Sequence, residues 1–156
     1  MFGPPPKRFF LTTGAGNAST ELNAFDAALI KAGLGDTNLI RLSSILPPGS
    51  EEIPPCEFPK GSFVPLAYGE LSCTEPGTII SAAIAVGIPD DPEAAGLIME
   101  RARLGRPEPC EDEAREMVRE GMEQMRGLKI REIKAASTSL NVKTVGAVFA
   151  AVVLCP

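Results

Sequence analysis

The sequence predicts a single α+β domain built in layers. Three observations lead there. Short apolar runs with strand character outnumber helical ones. The two clear helical patterns lie far apart in the chain, near residues 21–32 and 109–127. The order reads β-α-β-β-β-β-α-β-β, without the regular strand–helix alternation of a doubly wound parallel sheet. A chain of 156 residues is one domain's worth and can bury about two thirds of its unfolded surface.

Residues 8–13 (RFFLTT) are aromatic and β-branched and predict a strand. The glycines of 14–17 (GAGN) are expected to break it as a turn, since no Lys-Ser or Lys-Thr follows to make a phosphate cradle. Thr20 is placed to cap a helix over 21–32, with Leu22, Phe25, Leu29 and Ala32 as its apolar face. Gly33 and Gly35 end that helix. Residues 38–46 (NLIRLSSIL) read as one buried strand stopped by Pro47-Pro48. A proline-rich loop follows over 49–60. Strands are expected at 63–73, 79–88 and 96–103. In the last (GLIMERAR), alternation puts Leu97, Met99 and Arg101 on one side, and Ile98 and Glu100 on the other. The second helix, 109–127, carries acidic residues in its first turn and Arg126 in its last, as the macrodipole favours. Its stripe is expected to be Ala114, Val118, Gly121, Met125 and Leu128. Strands over 129–139 and 145–154 close the chain.

Composition removes several function classes. There is no histidine, so Ser-His-Asp and Cys-His catalysis are out and proton transfer falls to Glu, Asp, Lys, Tyr, Cys or water. The net charge is -5, and Arg101, Arg103 and Arg106 are the densest basic stretch, so no nucleic-acid partner is expected. The four cysteines lack paired metal-ligand spacing, so no metal site is expected. The longest apolar run, 145–154, is about half a membrane span, and the N-terminus has no signal-peptide core. A soluble, cytoplasmic protein without a membrane partner is the expectation.

Three features stand out as chemistry. Ser43-Ser44 sits near the end of an apolar strand. Asp26 interrupts the apolar helix segment NAFDAALI. Glu100 interrupts the apolar strand segment GLIMERAR. Each has a plain structural reading by itself: local hydrogen bonding for the serines and solvent exposure for the two acids.

Together the segments say more. NAFDAALIKAGLGDTNLIRLSSILPP resembles the cleavage region of the pyruvoyl-dependent arginine decarboxylase family. ISAAIAVGIP followed by AGLIMER resembles that family's second active-site stretch, and GAVFAAVV its C-terminal strand. The likeness runs from about Leu22 to Leu154. Two stretches depart from it: STSLNVK over 137–143, and the arginines after Glu100.

The resemblance implies a four-layer αββα sandwich and a homotrimer with active sites between subunits. It implies a proenzyme of residues 1–156 that cuts itself between Ser43 and Ser44, leaving a short chain, 1–43, and a long chain, 44–156. The Ser44 hydroxyl attacks the Ser43 carbonyl, and the resulting ester eliminates to free the Ser43 carboxylate. The dehydroalanine left at 44 hydrolyses to ammonia and a pyruvoyl group. That group serves as cofactor, with no metal and no pyridoxal phosphate, and decarboxylates L-arginine to agmatine through a Schiff base. Asn38 is the implied polariser of the Ser43 carbonyl, although five residues separate them and a bend is required. Glu100 is the implied proton donor, its pKa raised by Leu97, Ile98 and Met99. Asp26 is the implied partner of the guanidinium, with Leu29, Ser43 and Ile45 completing the substrate site. Two other readings stand beside this one. One is a pyruvoyl decarboxylase of another amino acid; the histidine enzymes have a longer proenzyme, and the aspartate and phosphatidylserine enzymes cut at Gly-Ser. The other is an uncleaved structural or ligand-binding trimer.

Overall fold

The computed structural model describes residues 3–156. Its strands are β1 (Arg8–Ala18), β2 (Asn38–Arg41), β3 (Ile45–Leu46), β4 (Glu51–Glu52), β5 (Phe63–Cys73), β6 (Ile79–Pro89), β7 (Gly96–Leu104), β8 (Ile130–Asn141) and β9 (Val145–Cys155). Its helices are α1 (Glu21–Lys31) and α2 (Pro107–Arg119), the latter continued by a π-helical turn over Glu120–Gln124.

Two sheets form. One has the order β2-β5-β9-β1-β4 and the other β3-β7-β6-β8. Helix α1 covers the outer face of the first and α2 the outer face of the second, giving the αββα layering. Strand β9 explains why the layers hold. Val148, Ala150, Val152 and Leu154 point between the sheets, while Ala147, Phe149, Ala151 and Val153 point toward α1. Both faces are dry, so the strand reads as a continuous apolar run. Each fully buried Val, Leu or Phe there contributes about 1.5–3 kcal/mol.

Four local expectations are corrected. Gly14 and Gly16 do not break β1, which pairs with β9 without interruption from Arg8 to Ala18. They are there because α1 lies on them: a Cβ at Gly14 would meet the Ala28 carbonyl oxygen at 1.9 Å, and one at Gly16 the Ala27 Cβ at 2.6 Å. For the same reason the helix buries its small residues, Ala24, Ala28 and Ala32, with Leu29, while Leu22 is 77% exposed.

The second helix starts two residues early, at Pro107, a position where the missing N–H costs nothing. Its π-helical turn puts Gly121 and Met122 inward, leaving Met125 exposed. Met122 fills the space over Gly87, where a Cβ would lie 2.2 Å from its sulfur. The proline-rich loop contains the two-residue strand β4, which pairs in parallel with β1.

The fourth correction bears on chemistry. Residues 38–46 are not one strand but two, in different sheets. β2 pairs in parallel with β5, and β3 pairs antiparallel with β7. The chain crosses from one sheet to the other at Leu42-Ser43-Ser44.

Candidate active site

The crossover is pinned on both sides. Leu42 N–H donates to the Leu66 carbonyl at 2.8 Å, the last bond to the first sheet. The Ser44 carbonyl accepts from Ile98 N–H at 2.7 Å, the first bond to the second. Between them, no hydrogen bond from the described residues engages the Ser43 carbonyl or the Ser44 N–H. Ser43 is exposed and Ser44 half-buried. The peptide joining them is thus held at its two ends and open in its middle, the condition for a neighbouring hydroxyl to reach its carbonyl.

Glu100 stands two residues beyond Ile98 on the same face of β7, about 6–7 Å along the strand. It points between the sheets toward β5, where Gly69 makes room: a Cβ at Gly69 would lie 3.0 Å from the Glu100 Cβ. Opposite Glu100 on β6 is Ile84. Burial pushes the Glu100 carboxyl above its ordinary pKa, and the Arg41 guanidinium pulls the other way. The Arg41 Nη2 is 3.8 Å from a Glu100 carboxylate oxygen. It also donates to the Tyr68 carbonyl at 2.9 Å, and its guanidinium carbon lies 4.3 Å over the Tyr68 ring.

One protomer therefore brings together Ser43, Ser44, Ile45 and Glu100. Ile45 is paired with Leu97 and 44% exposed. It does not bring the other expected residues there. The Asn38 amide donates to the Gly61 carbonyl at 3.0 Å, at the far end of β2. Asp26 is exposed on the solvent side of α1, and Leu29 is buried beneath the helix. One turn after Asp26, Ile30 reaches the wall of a separate groove of about 470 Å³, shared with Asp36, Thr37, Phe58 and Lys60.

Sequence reasoning missed Arg41, Tyr68 and Gly69. The available signal was Arg41, the one charged residue in NLIRLSSIL. Among the described residues no cluster of Cys, Asp and Glu is arranged to hold a metal ion, and no helix is long and apolar enough to cross a membrane.

The residues fit a carbonyl group generated at position 44. Its anchor, the Ile98 bond, uses the residue's own C=O and survives loss of Ser43, and an acid with a raised pKa lies nearby.

The sequence profile of pyruvoyl-dependent arginine decarboxylases matches residues 8–156. The chain is 46% identical over 149 residues to the pyruvoyl-dependent arginine decarboxylase of Methanococcus vannielii, covering 96% of this chain and 90% of the relative. It is 43% identical over 149 residues to the Methanocaldococcus jannaschii protein of that name, with the same coverage. It is 41% identical over 154 residues to that of Pyrococcus horikoshii, covering 97% and 96%.

Proposed function

The chain belongs to the pyruvoyl-dependent arginine decarboxylase family, and on that footing we propose that it processes itself at Ser43-Ser44 and converts L-arginine to agmatine and carbon dioxide. The observation that carries this reading is the crossover peptide, tethered to one sheet through Leu42 and to the other through Ser44, beside Glu100. The family's cofactor is a covalently bound pyruvoyl group, with no need of metal or pyridoxal phosphate. Ser44 is its source here. The match to arginine enzymes at 41–46% identity favours arginine over another amino acid and catalysis over an uncleaved structural role.

In processing, the Ser44 Oγ attacks the Ser43 carbonyl carbon and the peptide C–N bond breaks, giving an ester and a free amine at 44. Loss of the Ser44 α-proton expels the Ser43 carboxylate. Water then replaces nitrogen, which leaves as ammonia. The products are a short chain, 1–43, and a long chain, 44–156. When present, the ketone at 44 supplies the sink for the electrons left by departing carbon dioxide. Glu100 then holds the proton that the substrate carbon needs. Its burial keeps that proton on at a pH where a solvated carboxyl has lost it. The apolar side chains of Ile45 and Leu46 disfavour a carboxylate and so favour its loss.

The remaining assignments need a second copy of the chain. Asp26, on the outside of α1, cannot serve the Ser44 of its own protomer from across the sheet. A trimer in which α1 of one subunit meets the cleavage edge of the next supplies Asp26 to the guanidinium, with Leu29 supporting the helix behind it. Asn38, at the far end of β2 from the Ser43 of its own chain, likewise meets a Ser43 carbonyl only across such an interface. Support for such an interface comes from the exposed apolar residues Leu22, Ile30, Ile40, Ile45 and Phe63, which flank these two regions. A cytoplasmic setting belongs to the same reading. Intact-mass analysis of purified protein, followed by an assay for agmatine, tests the core of it: two chains and arginine turnover are expected, and a single uncut chain without turnover would overturn it.

A further inference from the structure

Arg41 is the last residue of β2 and lies two residues before the scissile carbonyl. Its three contacts are all to residues of the prospective long chain: the Tyr68 carbonyl at 2.9 Å, the Tyr68 ring at 4.3 Å and Glu100 at 3.8 Å. The platform under it is fixed. The Tyr68 ring packs against Phe149 at 5.3 Å and Phe25 at 6.4 Å between centroids, partly buried against the core beneath α1.

Cleavage changes the surroundings of this cation in two ways. It frees the end of an edge strand whose pairing with β5 spans only Asn38 to Arg41, and chain ends so weakly tied fray. It also creates a carboxylate at Ser43. Two residues of extended chain span at most about 7 Å, so that anion forms within reach of the guanidinium that already faces Glu100. A planar guanidinium can serve two carboxylates at once.

We propose, resting on the self-processing reading above, that Arg41 is a positioning residue: it fastens the cut end of the short chain to β5 and is the counter-charge shared by Glu100 and the new Ser43 carboxylate. Arg41 thereby couples cutting to catalysis. Before cleavage its charge is directed at Glu100. Afterwards the Ser43 carboxylate claims part of it, and Glu100 holds its proton to higher pH. The other groups around Glu100 leave this to Arg41. From β6 comes the apolar Ile84, from β5 Gly69 and the Tyr68 peptide with its phenol ring under the guanidinium, and from β3 the adjoining Ser44. Arg101, the next residue on β7, is turned away and paired with Glu113.

The test compares parent, Arg41→Met and Arg41→Lys. Glu100 is followed by carbon-13 titration of its carboxyl, and kcat by pH profile. In Arg41→Met the Glu100 titration should move up by roughly half to one pH unit, the lower end of the usual effect of a nearby charge because this pair is part-exposed. The alkaline limb of kcat should move with it, and the short chain should be released at lower urea. Arg41→Lys should restore the titration but not the urea resistance, since it keeps charge without the stacked fork. If Arg41→Met fails to process, the titration is read in uncut Ser44→Ala protein with and without the Arg41 change. An unmoved Glu100 titration overturns the proposal. A moved titration with an unmoved kcat limb instead faults Glu100 as the proton donor.

Discussion

The Ser44 carbonyl is bonded to Ile98 N–H at 2.7 Å, so the residue proposed to become the cofactor is fixed to the strand that carries Glu100. The bond lies on the long-chain side of the cut. In the proposed processing the bond is not cut, so position 44 and Glu100, two residues beyond Ile98, would keep their relative places. Preorganisation of that kind is worth more than either residue alone, because a small misplacement costs rate steeply.

Glu100→Gln should process fully and lose most decarboxylation. General acid catalysis contributes roughly 10²–10⁴-fold, and the amide keeps the shape without the proton. The parent's kcat should fall as pH rises through the elevated Glu100 pKa, since the protonated form is the working one. Near-parental turnover in processed Glu100→Gln would assign the proton to another group.

Gly69→Ala tests the space made for Glu100. The added methyl would sit 3.0 Å from the Glu100 Cβ and 3.3 Å from its Cγ, closer than ordinary packing, so the acid must shift. The expected result is a fall in kcat of roughly ten-fold or more for a displacement near 1 Å, with the circular dichroism of the fold retained. An unchanged kcat would mean Glu100 does not need this seat.

Asp26→Asn keeps size and removes charge. Arginine kcat/KM should fall by roughly 10²-fold or more, as when a charged partner is left unpaired, while processing survives because Asp26 is assigned to the guanidinium and not to the Ser43-Ser44 peptide. Parental kcat/KM would remove Asp26 from the substrate site.

The thiols make a separate test of the β9 end. Cys155 is buried, and its pKa is pushed up to about 12 by burial and by the Cys56 thiol beside it, whose sulfur is 3.6 Å away. Since the thiolate is the reactive form, iodoacetamide at neutral pH should label the exposed Cys56 and spare Cys155 until the protein is unfolded. Peptide mass mapping that finds Cys155 alkylated in native protein would contradict this packing.

How far the sequence reached follows from what each residue depends on. Glu100 was placed on the right face because strand alternation is local, and Ile98 beside it lies in the inter-sheet core. Thr20 was read as the cap it is, its hydroxyl accepting from Asn23 N–H. The split at Leu42 to Ser44 was not legible. No glycine or proline marks it, and the break arises only because β5 and β7 compete for the two halves of the segment. Gly14 and Gly16 are not legible locally, because a glycine pair in a strand pattern fits a turn as well as a close approach, and the helix that decides between them lies elsewhere in the chain. Arg41 is illegible for a similar reason. Its meaning depends on Tyr68 and Glu100, residues 27 and 59 positions away. For Asp26 and Asn38 no local pattern fixes a place relative to Ser44; only the family resemblance points to them.

The central claim is that Ser44 both cuts the chain and becomes its cofactor. The most direct measurement is the intact mass of purified parent and Ser44→Ala protein under denaturing conditions. The account predicts two chains for the parent, ending at Ser43 and beginning with a pyruvoyl group at position 44, and one uncut chain without arginine turnover for Ser44→Ala. Complete cutting of Ser44→Ala between residues 43 and 44, or a parent that turns over arginine as a single uncut chain, would contradict it.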